Sequence, residues 1–289
     1  MSKRPTIGIF DSGFGGLTVM RSLLTLIPGA NYVYLGDTAR LPYGSKSRET
    51  IARYAVDSLR FLEAQGAELF VVACNTASAL ALDALEAEAK IPVIGVIEPG
   101  AAAVRAAYNQ TMSEAAVTDL AGNGVLVLAT EATVQSHAYA RACAEHGMKA
   151  FEKACPLLVP LVEEGWIDSP VTEEVVRIYL AEALTQAREQ NITPHTILLG
   201  CTHYPLLQPV LECVLLKHFG ANEPMGILDS AEATAQRVKQ IMAERFPAIP
   251  TGSGELKFFA TDSVEKFQRL GSRFLGQPIA HVQHVDLGG

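Results

Sequence analysis

Short apolar runs alternate with longer amphipathic stretches along this chain of 289 residues. The short runs are rich in Val, Ile and Leu and apolar throughout, which is typical of strands buried on both faces of a parallel sheet. Helical patterns predict helices at residues 47–64 and 172–190. This alternation favours an α/β fold built from βαβ units. Strands are predicted at residues 6–10, 32–35, 69–73, 93–97, 125–129, 196–200, 226–228, 256–259 and 279–285.

Two interruptions suggest two similar α/β domains, each with a mainly parallel sheet flanked by helices, and an active site in the cleft between them. Glu98-Pro99-Gly100 breaks the pattern after the fourth predicted strand, and residues 204–209 break it again after the sixth. Residues 109–123 are polar and indicate a surface connection. The predicted limits are 1–97 together with 208–289 for a discontinuous first domain, and 98–207 for the second.

The composition is that of a packed globular protein, because 49% of the residues are hydrophobic and 19% are charged. A net charge of −8 without a cluster of Lys and Arg argues against nucleic-acid binding. No apolar stretch is long enough to span a bilayer, and the N-terminus lacks a signal-peptide pattern. We therefore expect a cytoplasmic protein without a membrane partner, whose five irregularly spaced cysteines are reduced.

Two of the five cysteines have matching surroundings. Cys74 follows the apolar run FVVA and precedes NT, and Cys201 follows TILLG and precedes TH. A cysteine between a strand end and a helix start lies where open α/β sheets bind ligands and where the helix dipole favours the thiolate. The repetition favours a catalytic thiol pair over two buried side chains. Cys143, Cys155 and Cys213 lack polar neighbours and are predicted to be small buried hydrophobic residues.

A glycine-rich segment, FDSGFGG, follows the first predicted strand. Its glycines allow a tight turn that brings backbone N–H groups near an anion, although it is neither a dinucleotide fingerprint nor a phosphate loop. At the strand end, the Asp11 carboxylate could accept a proton or bind an ammonium group, and the Ser12 hydroxyl could hold a carboxylate. The alternative is that this pair caps the following helix.

A second loop, GDTARLPYG, follows the second predicted strand and should reach the same sheet edge as Asp11. Tyr43 could close over a small ligand, and Gly44 could offer its backbone N–H, although PYG is also an ordinary turn. Arg40 could anchor a carboxylate, but we expect it to be a solvated surface side chain.

His203 follows Cys201 by two residues and could polarise the thiol or donate to a developing charge, or it could be a structural histidine. With Cys201 as nucleophile and His203 as base, the chain could be a cysteine hydrolase, which leaves Cys74 without a role. Cys-x-His is not a usual structural zinc spacing, so no metal is predicted. Glu163 is expected to be exposed unless the fold places it otherwise.

Taken together, the segments FDSGxGG, PYG, ACNTAS and GCTHYP resemble those of glutamate racemases, in the same order and over almost the whole chain. The resemblance implies that Cys74 and Cys201 are the two catalytic bases. It also implies that Asp11 and His203 assist the thiols and that Glu163 is a further pocket acid. The substrate-binding residues that it implies are Asp11, Ser12, Tyr43, Gly44, Asn75, Thr76, Thr130, Thr133, Thr202 and His203.

The predicted reaction is the cofactor-independent racemisation of glutamate, in which one thiolate removes the Cα proton and the opposite thiol returns a proton on the other face. The TH pair after the second cysteine resembles glutamate racemases, whereas the related aspartate racemases usually have Cys-Thr-Glu there, so the resemblance implies glutamate rather than aspartate as the substrate. No lysine lies in any of the four segments, so a pyridoxal Schiff base is not indicated and no cofactor is predicted.

The resemblance also implies an isomerase that supplies D-glutamate for peptidoglycan synthesis, and hence for cell wall biogenesis and cell shape. Three alternatives stay open: a racemase of aspartate or another amino acid, a cysteine hydrolase, and a two-lobed amino-acid-binding protein. The sequence does not fix the oligomeric state, for which a homodimer is one option, or the need for an activating ligand.

Overall fold

A computed structural model of the protein describes residues 4–111, 123–219 and 225–288. The predicted surface connection at 109–123 lies mostly outside the described residues, and its first three residues end a helix. The strands of the described chain are β1 (Thr6–Asp11), β2 (Asn31–Gly36), β3 (Leu69–Val72), β4 (Val93–Gly95), β5 (Asn123–Ala129), β6 (Lys149–Ala154), β7 (Thr193–Gly200), β8 (Gly226–Asp229), β9 (Leu256–Ala260) and β10 (Gln283–His284).

Helices connect these strands. Local sequence signals set their starts. At the second helix, for example, Ser47 is the N-cap, and its side chain accepts a hydrogen bond from the Thr50 amide. The helices are α1 (Leu17–Leu26), α2 (Arg48–Ala64), α3 (Asn75–Leu80), α4 (Leu82–Glu88), α5 (Ile97–Thr111), α6 (Glu131–Ser136), α7 (Ala138–Glu145), α8 (Leu158–Glu163), α9 (Pro170–Glu189), α10 (Gln208–His218), α11 (Ala231–Arg245) and α12 (Val264–Leu275).

The chain forms two compact units. The first unit comprises Met1–Val96 and Ala231–Gly289 and contains a six-stranded sheet in the order β10-β9-β2-β1-β3-β4. All its strand pairs are parallel. One face of this sheet packs against α2, whose side chains Ile51, Leu59 and Leu62 are fully or almost fully buried. Because the strands are parallel, the loops after β1, β2 and β3 lie at one edge of the sheet.

The second unit comprises Ile97–Ser230 and contains a four-stranded sheet in the order β6-β5-β7-β8. Its three strand pairs are also parallel. Ala129 at the end of β5 is paired with Gly200 at the end of β7, so the residues after these two strands are neighbours. The predicted α/β class, with a parallel sheet in each of two parts of the chain, is confirmed.

The structure differs from the sequence prediction at the return between the units. The chain returns to the first unit at Ala231, not at residue 208, because β8 pairs with β7 and therefore belongs to the second sheet. The predicted break at Glu98-Pro99-Gly100 lies within the first turns of α5, where proline is tolerated.

Two edge strands were predicted poorly. The sequence analysis missed β6, whose mixed sequence KAFEKA lies at an edge of its sheet and is only partly buried. The strand predicted at 279–285 is limited to Gln283–His284, again at an edge. Edge strands carry less of the apolar pattern that identifies buried strands.

Candidate active site

Cys74 lies between β3 and α3 in the first unit, as predicted. Its backbone has the extended conformation of a helix N-cap, with φ of −64° and ψ of 119°, and its Sγ accepts a hydrogen bond from the Ala77 amide at 3.5 Å. The strand before it is fully buried, and Asn75 and Thr76, the first helical residues, are each 4% exposed. The cysteine is therefore held by backbone geometry at the carboxyl edge of the first sheet.

Asp11 and Ser12 lie beside Cys74. The Cys74 thiol donates to Ser12 Oγ at 3.5 Å, and Asp11 Oδ2 accepts from the Gly13 amide at 3.0 Å. Asp11 does not cap the following helix, because the N-cap position is Gly16 and no side-chain hydrogen bond caps it. We call Asp11, Ser12, Cys74, Asn75 and Thr76 the Cys74 cluster.

Gly16 allows this close packing. A Cβ atom on Gly16 would lie 2.7 Å from the Cβ atoms of both Ala73 and Asp11, which is closer than such atoms approach in proteins. A larger residue would push the glycine-rich loop away from the loop that carries Cys74.

The electrostatic surroundings of Cys74 differ from the expectation of a stabilised thiolate. Burial, together with the nearby negative charge of Asp11, raises the pKa of the Cys74 thiol from 9.0 to about 11. The hydrogen bonds that Cys74 makes with Ser12 and with the Ala77 amide lower the pKa, but their effect is outweighed. The Cys74 thiol therefore holds its proton more tightly than a free cysteine thiol does.

Tyr43 is fixed in the fold instead of being free to close over a ligand. Its side chain is 2% exposed, and its hydroxyl donates to Asp37 Oδ2 at 2.5 Å. Its ring packs at 6.1 Å from Phe10 and 6.0 Å from Tyr54, measured between centroids. Gly44, by contrast, is half-buried, so its backbone lies nearer to solvent.

Arg40 is not a solvated side chain. Its side chain is only 10% exposed and lies 3.7 Å from Asp37 and 3.4 Å from Asp57. The sequence analysis also gave no role to Asp37, which is fully buried at the end of β2. A carboxylate directly after a buried strand was the signal that could have identified it.

Cys201 lies directly after β7 in the second unit. Gly200 before it is tightly enclosed, since a Cβ there would lie 2.9 Å from the Tyr139 ring and 3.0 Å from Ala129 Cβ. Tyr204 after it is fully buried and donates its hydroxyl hydrogen bonds to the Cys155 carbonyl at 2.9 Å and the Ala129 carbonyl at 3.3 Å. The turn that carries Cys201 is therefore held in place on both sides of the cysteine, by Gly200 before it and Tyr204 after it.

His203 connects Cys201 to Glu163. Its Nδ1 lies 4.0 Å from Cys201 Sγ, and its Nε2 lies 3.3 Å from Glu163 Oε1. Glu163 ends α8, and its side chain is 17% exposed, so the default expectation of a solvent-exposed glutamate was wrong. A carboxylate at one imidazole nitrogen orients the ring, so that the other nitrogen faces the Cys201 thiol.

Three threonines follow the paired ends of β5 and β7. Thr202 is buried, and its Oγ1 lies 3.5 Å from His203 Nδ1. Thr130 follows β5, the strand paired with β7, and its Oγ1 is 3.0 Å from Thr133 Oγ1. We call Thr130, Thr133, Glu163, Cys201, Thr202 and His203 the Cys201 cluster.

The other cysteines lie outside these clusters. Cys143 and Cys155 are fully buried, as predicted, and Cys213 is half-buried on α10. Within residues 4–111, 123–219 and 225–288, no group of three or more His, Cys, Asp and Glu side chains is arranged to hold a metal ion. In the same residues, no helix is both long and apolar enough to cross a membrane.

Comparison with known proteins identifies the family. The Asp/Glu/Hydantoin racemase model matches residues 7–238. The chain belongs to this family. It is 49% identical to a glutamate racemase from Koribacter versatilis, with 99% of each chain covered. The resemblance noted in the sequence, and the racemase class of enzyme that it implied, are therefore confirmed.

Solved structures agree with this membership. A glutamate racemase from Francisella tularensis in complex with D-glutamate is 33% identical, with a TM-score of 0.82 and 98% of each chain covered. The glutamate racemase isoform RacE1 from Bacillus anthracis is 34% identical, with a TM-score of 0.83 and 99% of each chain covered. The α/β fold described above is thus the fold of these racemases.

Proposed function

We propose that this protein interconverts L-glutamate and D-glutamate by proton transfer at Cα between two cysteines, Cys74 and Cys201. The observation that carries the proposal is the repeated thiol at the carboxyl end of a parallel strand, in a chain 49% identical to a glutamate racemase. The Francisella racemase in complex with D-glutamate supports glutamate as the substrate.

The chemistry requires two groups because the proton leaves one face of Cα and a proton arrives on the other. A thiolate takes the proton, so that an S–H bond forms as the Cα–H bond breaks and its electron pair delocalises into the carboxylate. The opposite thiol then gives its proton to Cα from the other face. After turnover the two cysteines have exchanged protonation states, and the reverse reaction uses them in the opposite order.

We infer that the resting enzyme holds Cys201 as the thiolate and Cys74 as the thiol. The pKa of Cys74 is raised to about 11, so it carries a proton at neutral pH. His203, which is in contact with Glu163, lies beside the Cys201 thiol and is placed to exchange a proton with it. In this state Cys201 removes the Cα proton of one enantiomer and Cys74 protonates the resulting carbanion.

The remaining residues of the two clusters hold the substrate in this proposal. Asp11 is suited to the ammonium group, because its buried side chain places a carboxyl group beside Cys74. The hydroxyl and amide groups of Ser12, Asn75, Thr76 and Thr202 are suited to the carboxylates, where charge develops as the proton leaves. Tyr43, Gly44, Thr130 and Thr133 complete the proposed binding set.

A second candidate is favoured by one observation. His203 contacts Cys201 through one ring nitrogen and Glu163 through the other. A nucleophile, a base and an orienting acid are connected in this way in a cysteine hydrolase. Under that hypothesis Cys74 has no chemical role.

One experiment separates these functions. The purified, dialysed protein is incubated in D2O with L-glutamate and no added cofactor, with L-aspartate and an activated ester in parallel. Racemisation predicts loss of optical rotation and one deuterium at Cα of glutamate, with little exchange of aspartate. Ester cleavage without exchange would favour the hydrolase, and saturable binding without either reaction would favour a binding protein.

The biological part of the proposal is the supply of D-glutamate for peptidoglycan in the cytoplasm, and it rests on family membership. Deletion of the gene should make growth depend on added D-glutamate. The homodimer stays a prediction that light scattering of the purified protein can check.

A further inference from the structure

A buried ionic network lies beneath the loop that carries Tyr43 and Gly44. Asp37 is fully buried, and its two carboxylate oxygens accept from two hydroxyls, Tyr43 at 2.5 Å and Thr261 at 2.9 Å. Thr261 Oγ1 also accepts from the Ala39 amide at 2.9 Å. The loop is therefore fixed at two points, one on each side of Arg40, by groups that converge on one carboxylate.

Arg40 supplies the positive charge of this network. Its guanidinium lies 3.7 Å from Asp37 and 3.4 Å from Asp57 on α2, and it stacks 4.3 Å above the Tyr54 ring. It also donates to the carbonyl of Gly288 near the C-terminus. One side chain thus connects the loop to α2 and to the end of the chain.

The same loop touches the Cys74 cluster. The Asp37 amide donates to the Asp11 carbonyl at 3.0 Å, and Leu41 lies against Gly13. A displacement of residues 37–44 would therefore change the positions of both Tyr43 and the backbone that carries Asp11. Neither Asp37 nor Arg40 belongs to the proposed catalytic or binding set.

We propose that Arg40 and Asp37 are positioning residues for the amino-acid substrate, acting through Tyr43 and the loop of residues 37–44. The proposal rests on the proposed function, since Tyr43 and Gly44 are substrate contacts only in that reading. Burying a carboxylate is unfavourable unless it is paired and hydrogen-bonded, so removal of Arg40 leaves Asp37 undercompensated and loosens its hold on Tyr43. A loosened loop weakens substrate binding while the two thiols stay in place.

The test compares Arg40→Met with a matched control, Arg48→Met. Arg48, at the start of α2, pairs with Asp83 at 2.6 Å, and both side chains of this pair are exposed. Arg40→Met should raise KM for glutamate about tenfold and change kcat by less than about threefold, because uniform binding is lost and not transition-state stabilisation. Arg48→Met should keep the wild-type KM, and Arg40→Lys, which restores the charge without the stacked fork, should give an intermediate KM.

A double-variant cycle tests the route through Tyr43. If Arg40 acts through this tyrosine, Arg40→Met in a Tyr43→Phe background should raise KM by less than about twofold. An unchanged KM in folded Arg40→Met would overturn the proposal, as would full additivity with Tyr43→Phe. If Arg40→Met does not fold, Arg40→Lys decides, and a wild-type KM in that variant would overturn it.

Calorimetric binding of D-glutamate separates this inference from the proposed function. Wild-type protein that binds D-glutamate without racemising it would contradict the proposed reaction and leave the positioning role testable by affinity. Wild-type racemisation with equal D-glutamate affinity in Arg40→Met would contradict only the positioning role.

Discussion

The Cys74 cluster and the Cys201 cluster share a backbone design and differ in their charges. In both, a buried parallel strand ends at a thiol that is followed by small polar residues. Cys74 lies among a serine hydroxyl, a carboxylate and an amide, and burial raises its pKa to about 11. Cys201 lies beside an imidazole that is backed by a carboxylate.

A repeated fold element therefore does not give two thiols with equivalent surroundings. A two-base reaction needs one thiolate and one thiol at the start, and identical surroundings would give both cysteines the same protonation state. A carboxylate lies near one thiol and an imidazole near the other, so the two surroundings are not equivalent. The predictions below test whether this asymmetry is real and how much each part contributes.

The largest expected effect is the loss of either thiol. Cys74→Ser and Cys201→Ser should each lower kcat for glutamate racemisation by about 10³-fold or more, since a serine hydroxyl is a far weaker acid and its alkoxide is scarce at neutral pH. Polarimetry measures the loss. Cys213→Ser, a half-buried cysteine on α10, is the control and should keep wild-type activity. Full activity in either catalytic variant would exclude the two-thiol reaction.

The second effect concerns the imidazole. His203→Asn should lower kcat/KM by about 10²-fold, and Glu163→Gln by about tenfold, because the carboxylate acts through the ring. Once His203 is absent, adding Glu163→Gln should cost little more. Glu164→Gln, at the exposed neighbouring position, is the matched control. Multiplicative losses in the double variant would show that Glu163 acts independently of His203.

The third effect is a pH dependence of stability. The pKa of the Cys74 thiol is raised in the folded protein from 9.0 to about 11, so between these values the folded state keeps a proton that the unfolded state loses. The stabilisation is complete below pH 9 and is lost as the pH rises towards 11, by roughly 2–3 kcal/mol. Urea unfolding from pH 8 to pH 10.5 should show a steeper decline for wild type than for Cys74→Ser. Parallel curves would show that Cys74 is not perturbed.

The smallest effects concern the supports of each cluster. Ser78 on α3 donates to the Val72 carbonyl at 2.8 Å and accepts from the Val96 amide at 3.2 Å. Tyr204 donates to two carbonyls beside Cys201. Ser78→Ala and Tyr204→Phe should each lower the free energy of unfolding by about 1–2 kcal/mol, because buried backbone groups lose a partner. Thermal unfolding measures both, and Ser45→Ala on the exposed loop surface should change little.

Local patterns in the sequence were sufficient for the α/β class and for the position of each thiol. Apolar runs that end at a cysteine identify a strand end wherever they occur, because the side chains of a buried strand must be apolar on both faces. The same patterns failed at β6 and at the return to the first unit, since strand pairing at sheet edges leaves little trace in composition.

Neighbours along the chain were enough to place a thiol at the end of each of two parallel strands. The groups that face these thiols, and the groups that support the nearby loop, come from distant parts of the chain and were seen only in the folded structure. Glu163 contacts His203, which is 40 residues away in the sequence, and Arg40 donates to the carbonyl of Gly288, which is 248 residues away. Burial at such contacts depends on packing between distant segments. For this reason Glu163 and Arg40 are mostly buried where exposure was expected, and the pKa of Cys74 is raised where a stabilised thiolate was expected.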